Sequence, residues 1–252
     1  MPHQARKKSE TGYYHVVPKG IHDQILFESD TDRQNYMGLL RKAKLETGVL
    51  LHAYCLMSNH VHLLVEDPED ELASFVKQVH ERYGMYFAEK TGRHGGIFQR
   101  RYWSEPINSE AHLLCAVRYV HANPAAAGIC PASKYEWSSA KDYLGREGIA
   151  DVTTVLDMCG GRDGFIEFSK ISNWTAVPFP GSKLSRHLTD GEAAAIAQAL
   201  LGADGLLLGA ENIASRKQKL AVLYAHGFTV SQIVRITGLG RREVERHLEI
   251  KR

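Results

Sequence analysis

The chain has 252 residues and a mass of 28.2 kDa, with 44% hydrophobic and 24% charged residues, globular usage that argues against disorder as the main state. No apolar run is long enough to cross a bilayer, and the polar, basic start MPHQARKKSE does not read as a secretory signal. Four cysteines without a CxxC pair argue against a disulfide scaffold or zinc knuckle and point to a reducing cytoplasm, while a net charge of +2 implies no partner by itself.

In chain order, residues 1–10 read as a disordered basic start and Gly12–Val17 (GYYHVV) as a strand. Residues 30–46 open with the capping residues Asp30, Thr31 and Asp32. They carry a helical stripe of Tyr36, Leu39, Leu40, Ala43 and Leu45 that ends at Gly48. Residues 49–57 and 60–66 predict two strands of a hairpin turning at Ser58 and Asn59. A second helix is predicted over 70–90, with Leu72, Phe75, Val76, Val79, Tyr83, Tyr86 and Phe87 on one side. An extended segment is expected over 97–107, then a helix from Ser109 to about Asn123, ended by Pro124. This β-α-β-β-α-β-α order predicts an α+β class, a ferredoxin-like antiparallel sheet with helices on one face. The aromatic stretch 135–143 is expected to pack back on that domain. The expected division is a first domain over 1–173, a linker over 174–190 and a small all-α module over 191–252.

Charge is uneven. Residues 77–103 hold six Lys or Arg against two Glu, a local +4, and residues 211–252 hold nine against four, a local +5. Two basic regions in a nearly neutral chain fit two surfaces that meet a polyanion, or else two solvated helix faces.

His60-Val61-His62 places two imidazoles on one face of a strand, a spacing that serves one divalent metal or simply two polar residues on a sheet face. Tyr119 and Asn123, four apart, stack on one helix face. A phenol becomes a useful nucleophile when a metal or base assists it, and Asn123 offers a neutral oxygen ligand; a core Tyr and an Asn near a helix end is the plainer reading. Tyr83 and Tyr86, in a basic helix, compete with Tyr119 as nucleophile, and His121 reads as structural. Arg100 and Arg101 precede the tyrosine helix and could pair with phosphates, one of them reaching the groove if the segment is a strand. Tyr102 and Trp103 would stack on bases or pack in the core.

Residues 53–65 (AYCLMSNHVHLLV) resemble the HUH segment of the single-tyrosine HUH transposases, with Val61 between the histidines. Phe98–Trp103 (FQRRYW), Tyr119–Pro124 (YVHANP) with Gly128 after it, and Tyr135–Ser139 (YEWSS) resemble, in order, the basic strand, tyrosine motif and following segment of the REP-associated tyrosine transposases within that superfamily. The resemblance runs from about residue 12 to 145. It implies a nickase and strand transferase on single-stranded or hairpin DNA, with a 5′-phosphotyrosine intermediate and a divalent metal, Mg²⁺ or Mn²⁺. It further implies Tyr119 as nucleophile, His60 and His62 as ligands and Asn123 as third ligand, where insertion-sequence relatives commonly carry a longer Gln. A monomer and a homodimer both occur among such proteins. A cytoplasmic, nucleoid-associated location with no membrane partner follows.

Residues 230–248 predict helix, turn, helix, with Gly238 at the turn and Ile233, Val234, Val244 and Leu248 inside. Arg241, Arg242 and Arg246 would decorate the second helix as in a recognition element for duplex DNA, or the pair is merely amphipathic. A non-catalytic DNA-binding regulator acting through this module is the alternative function. A phosphodiesterase with paired His motifs is disfavoured, because the one HxH has no second matching motif.

Overall fold

The computed structural model describes residues 8–93, 95–170, 190–201, 206, 208, 212–225 and 228–248. The chain divides into two compact units, Met1–Ser109 with Ala116–Ile171, and Glu110–Cys115 with Ser172–Arg252. The predicted boundary at 173 and the linker 174–190 lie outside the described residues except for Asp190. No helix among the described residues is long and apolar enough to cross a membrane.

In the first unit, β1 (Tyr13–Val17), β2 (Leu50–Leu56), β3 (Val61–Glu66) and β4 (Trp103–Ile107) form one antiparallel sheet in the order β2-β3-β1-β4. With α1 (Asp30–Thr47) and α2 (Leu72–Thr91) between strands, this is the split βαβ arrangement that the element order predicts. Tyr14 and Val16 of β1 and Val61, Leu63 and Val65 of β3 share one core with Tyr36, Leu40 and Ala43 of α1 and Phe75, Val79 and Tyr83 of α2. Strand side chains alternate, so His15, His62 and Leu64 face the other side of the sheet. Leu45 does not join the α1 stripe: it is 84% exposed, since nine residues from Tyr36 bring it half-way round the helix.

The start of α1 is tied to the end of α2. Ser29 and Asp32 form a reciprocal capping box, and the fully buried Asp32 carboxylate also accepts from Lys90 Nζ at 2.8 Å and Tyr86 Oη at 2.7 Å. Burial works to raise the Asp32 pKa, but the bonds from Lys90, Tyr86 and Ser29 overcome it and hold the carboxyl below its ordinary range. Its contribution to stability is therefore present above a pH of about 4, the unfolded value, and lost as the pH falls below it. Asp32→Ala is expected to lower stability by about 2 kcal/mol in a urea melt at pH 7, and by less as the melt is repeated toward pH 3.

The outer edge of β2 is covered as the aromatic stretch predicts. Leu56 N donates to Trp137 O at 2.9 Å, Ser139 N to Tyr54 O at 3.0 Å, and Tyr143 Oη to His52 O at 2.8 Å.

α3 (Glu110–Ala126) continues past Pro124 instead of ending there. Proline removes the donor that the Val120 carbonyl would receive. Asn123 Nδ2 supplies a partial substitute, reaching Val120 O at 3.4 Å and Tyr119 O at 2.8 Å. The chain turns instead at Gly128, whose φ of 71° is cheap only for glycine. The short helices α4 (Ala140–Tyr143), α5 (Thr153–Met158) and α6 (Arg162–Lys170) complete this unit.

The second unit contains α7 (Asp190–Leu201), α8 (Ile213–Ala225), α9 (Val230–Thr237) and α10 (Arg241–His247). Ala193, Ala197, Leu220, Leu223, Phe228, Ile233 and Val244 form its core. Thr229 and Gln232 make a capping box for α9, and Gly238, with φ 69°, ends it.

Candidate active site

Four elements bring chemistry to the sheet face opposite α1 and α2. His62 comes from β3, and His60 from the bridge position just before it, where it pairs with Lys19. Their Nε2 atoms stand 3.1 Å apart. His15 of β1 reaches diagonally across the sheet, its Nε2 3.0 Å from His62 Nδ1 with the two rings stacked. From α3, the Tyr119 ring lies edge-on to His62 at 5.4 Å and to His15 at 5.7 Å between centroids. Trp103 of β4 meets His15 edge-on at 5.2 Å.

Burial holds both metal-ligand candidates neutral. Desolvation, helped by neighbouring His60, pushes the His62 pKa down to about 3; desolvation and then Lys19 lower that of His60. Neutral imidazole is the form that ligates metal. Two nitrogens about 2.1 Å from a shared ion and at a right angle to one another stand about 3.0 Å apart, close to the spacing of these two Nε2 atoms. Among the described residues no group of three or more His, Cys, Asp or Glu side chains could hold a metal, so these two imidazoles need a donor of another kind. Asn123 is the candidate: its Nδ2 donates to the Tyr119 carbonyl at 2.8 Å, which leaves Oδ1 as the acceptor of a side chain close enough to His62 to influence its pKa. The donor set, two neutral nitrogens and an amide oxygen, fits a divalent ion completed by water or phosphate oxygens.

The competing tyrosines are elsewhere. Tyr83 is buried in the core on the helix-covered face and donates to Leu26 O at 2.6 Å; Tyr86 donates to Asp32. Tyr119 is half-buried beside the histidines, and burial raises its pKa. His121 is buried, its Nε2 2.8 Å from Ser139 Oγ.

Arg100 and Arg101 are exposed, but neither lies in a strand: β4 begins only at Trp103. The alternation that would send one of them into a groove and the other away therefore does not apply. Arg241, Arg242 and Arg246 are exposed on α10, with Arg241 Nε bonded to Glu245 at 2.9 Å. Two residues near the imidazoles escape a motif reading, His15 and Asn59. A buried histidine between Tyr14 and Val16, in a strand with core neighbours on both sides, was the available signal for the first.

Residues 8–123, which hold the four-stranded sheet, the histidine pair and Tyr119, match the family described as "Transposase IS200 like". That match ends within α3 and leaves α4 to α10 outside it. The chain is similar to a protein of Haemophilus influenzae described as a putative REP-associated tyrosine transposase, 26% identical over 96 residues. That match spans 34% of this chain and 54% of the relative, so the chain covers about half of the relative's length. The fold is similar to the solved structure of a REP-associated tyrosine transposase bound to a REP hairpin, at 19% identity and a TM-score of 0.50 over 61% of this chain and 94% of that one.

Proposed function

We propose that the first unit is a divalent-metal-dependent nickase and strand transferase for single-stranded, hairpin-bearing DNA, working through a 5′-phosphotyrosine. The observation that carries this is the convergence of His60 Nε2 and His62 Nε2, 3.1 Å apart, beside the Tyr119 ring. Hairpin DNA enters from the fold neighbour, which holds a REP hairpin.

Mg²⁺ or Mn²⁺ held by His60, His62 and Asn123 would polarise the scissile phosphate and offset its charge in the transition state. The Tyr119 oxygen forms the new bond to phosphorus and gives up its proton; the bond to the 3′ oxygen breaks, and that oxygen takes up a proton. One phosphodiester is exchanged for another, so a second 3′-OH can reverse the step and join strands without ATP. Arg100 and Arg101, exposed next to β4, pair with backbone phosphates and contribute affinity without reading sequence. Such a protein acts in the cytoplasm, at the nucleoid.

The test is covalent capture. The full chain is incubated with Mn²⁺ and a hairpin-bearing single strand labelled at either its 3′ or its 5′ end, then run on a denaturing gel. Label should travel with the protein only from the 3′-labelled strand, because the 5′ fragment leaves with a free 3′-OH. Absence of any adduct across such substrates overturns the nickase reading and favours a DNA-binding regulator.

That second reading has its own observation. α9 and α10 pack through Ile233 and Val244 and leave Arg241, Arg242 and Arg246 exposed, a helix-turn-helix disposition suited to duplex DNA. Arg241→Glu with Arg242→Glu should weaken binding to a target with a duplex portion by about tenfold or more. It should also make the salt slope shallower by about two, one for each lost phosphate contact. Cleavage of a short single strand should survive. An unchanged binding constant and slope, measured at several salt concentrations, would remove the second unit from DNA recognition.

A further inference from the structure

Each candidate ligand histidine has a partner on its far ring nitrogen. His60 Nδ1 lies 2.7 Å from Asn59 Oδ1. Asn59 Nδ2 faces Asp23 Oδ1 at 3.5 Å, and Asp23 is in turn paired with Lys19 at 2.6 Å. A carboxylate only accepts, so it draws the amide NH₂ toward itself and leaves the amide oxygen toward His60. His60 Nδ1 must then carry the proton, and His60 Nε2 is bare.

His62 has two ways to complete the row. In one, His15 Nε2 donates to His62 Nδ1, and His62 Nε2 donates to His60 Nε2. In the other, His62 Nδ1 donates to His15 Nε2, and His62 Nε2 is bare. The first satisfies the rings with nothing between them. The second leaves two lone pairs 3.1 Å apart, an arrangement that a cation between them stabilises.

We infer that Asn59 and His15 are positioning residues that hold His60 and His62 in the Nδ1–H tautomer, so that both Nε2 atoms face one divalent ion. This rests on the metal-dependent reading proposed above. The burial of His15, opposite Leu64 and Glu105 on the flanking strands and with its ring parallel to that of His62, fixes the orientation as well as the proton. Removing such partners of ligating histidines typically weakens metal affinity about 10–100-fold.

The experiment titrates Mn²⁺ calorimetrically into the full chain, as wild type and as His15→Leu, His15→Gln and Asn59→Leu. Each Leu variant should bind about 10–100-fold more weakly. His15→Gln, whose carbonyl oxygen can accept near the position of the lost Nε2, should recover most of the loss. A purely structural role for His15 would not distinguish Gln from Leu in metal affinity once both show wild-type circular dichroism. If His15→Leu does not fold, Asn59→Leu, on a half-buried turn, decides the matter. Leu variants that bind Mn²⁺ as tightly as wild type overturn the roles of Asn59 and His15 and leave the nickase reading standing. A wild type that takes up no Mn²⁺ overturns the metal site itself, and the positioning roles with it.

Discussion

Tyr119→Phe is expected to abolish covalent attachment to DNA, by at least about a thousandfold, while DNA binding stays near that of wild type. The substitution removes only the hydroxyl. The ring remains to pack edge-on against His62 and His15. Burial raises the pKa of this phenol further above its ordinary value, and the hydroxyl oxygen is the only nucleophilic atom of the side chain. The readout is the denaturing-gel adduct, with a band-shift titration of the same preparation as the binding control. A persistent adduct overturns the assignment. The next residues to substitute would then be Tyr83 and Tyr86, although their hydroxyls are engaged on the opposite face of the sheet by Leu26 O and Asp32.

His60→Ala and His62→Ala should each remove metal-dependent cleavage, by about a hundredfold or more, together with measurable Mn²⁺ uptake. Asn123→Ala should be milder. The difference follows from what each side chain supplies. The imidazoles are neutral nitrogens aimed at one point, and losing either leaves a single strong donor. The amide oxygen is a weaker ligand that water can replace. Asn123 also bonds to the Tyr119 and Val120 carbonyls, so its loss should reduce stability somewhat as well. Because imidazole is a softer donor than carboxylate, Mn²⁺ is expected to bind this site more tightly than Mg²⁺. A crystal soaked in Mn²⁺ that shows no density between His60 and His62 would count decisively against the site.

Much of the first unit was legible from local pattern. Period-two strands, helical apolar spacing and capping residues are properties of neighbouring residues, and they placed β1 to β3, α1 and α2 to within a few positions, while β4 begins six residues after the start of the extended segment expected there. The shared face of His60 and His62 was legible for the same reason. Pro124 shows where local rules fail: a proline ends a helix unless something else satisfies the carbonyl it leaves, and Asn123 does so in part. Arg100 and Arg101 show a second failure, since the alternation expected of them needs a strand and β4 begins only at Trp103.

Element order, the basic regions, the histidine pair and the tyrosine with its amide one turn on could all be read along the chain, because each depends on local composition or spacing. Which tyrosine stands with the histidines is set by packing. Tyr83, Tyr86 and Tyr119 all lie on helices, and the face of the sheet against which a helix packs is not encoded in its own periodicity. Only the tertiary structure brought in His15, too. Residues 15 and 62 meet because antiparallel pairing of β1 with β3 sets Val16 opposite Leu63 and His15 opposite Leu64. A one-residue slip in that register would send one of the two histidines to the other face of the sheet. Register is a property of two strands packed on a common core, so no single stretch of sequence could have shown it.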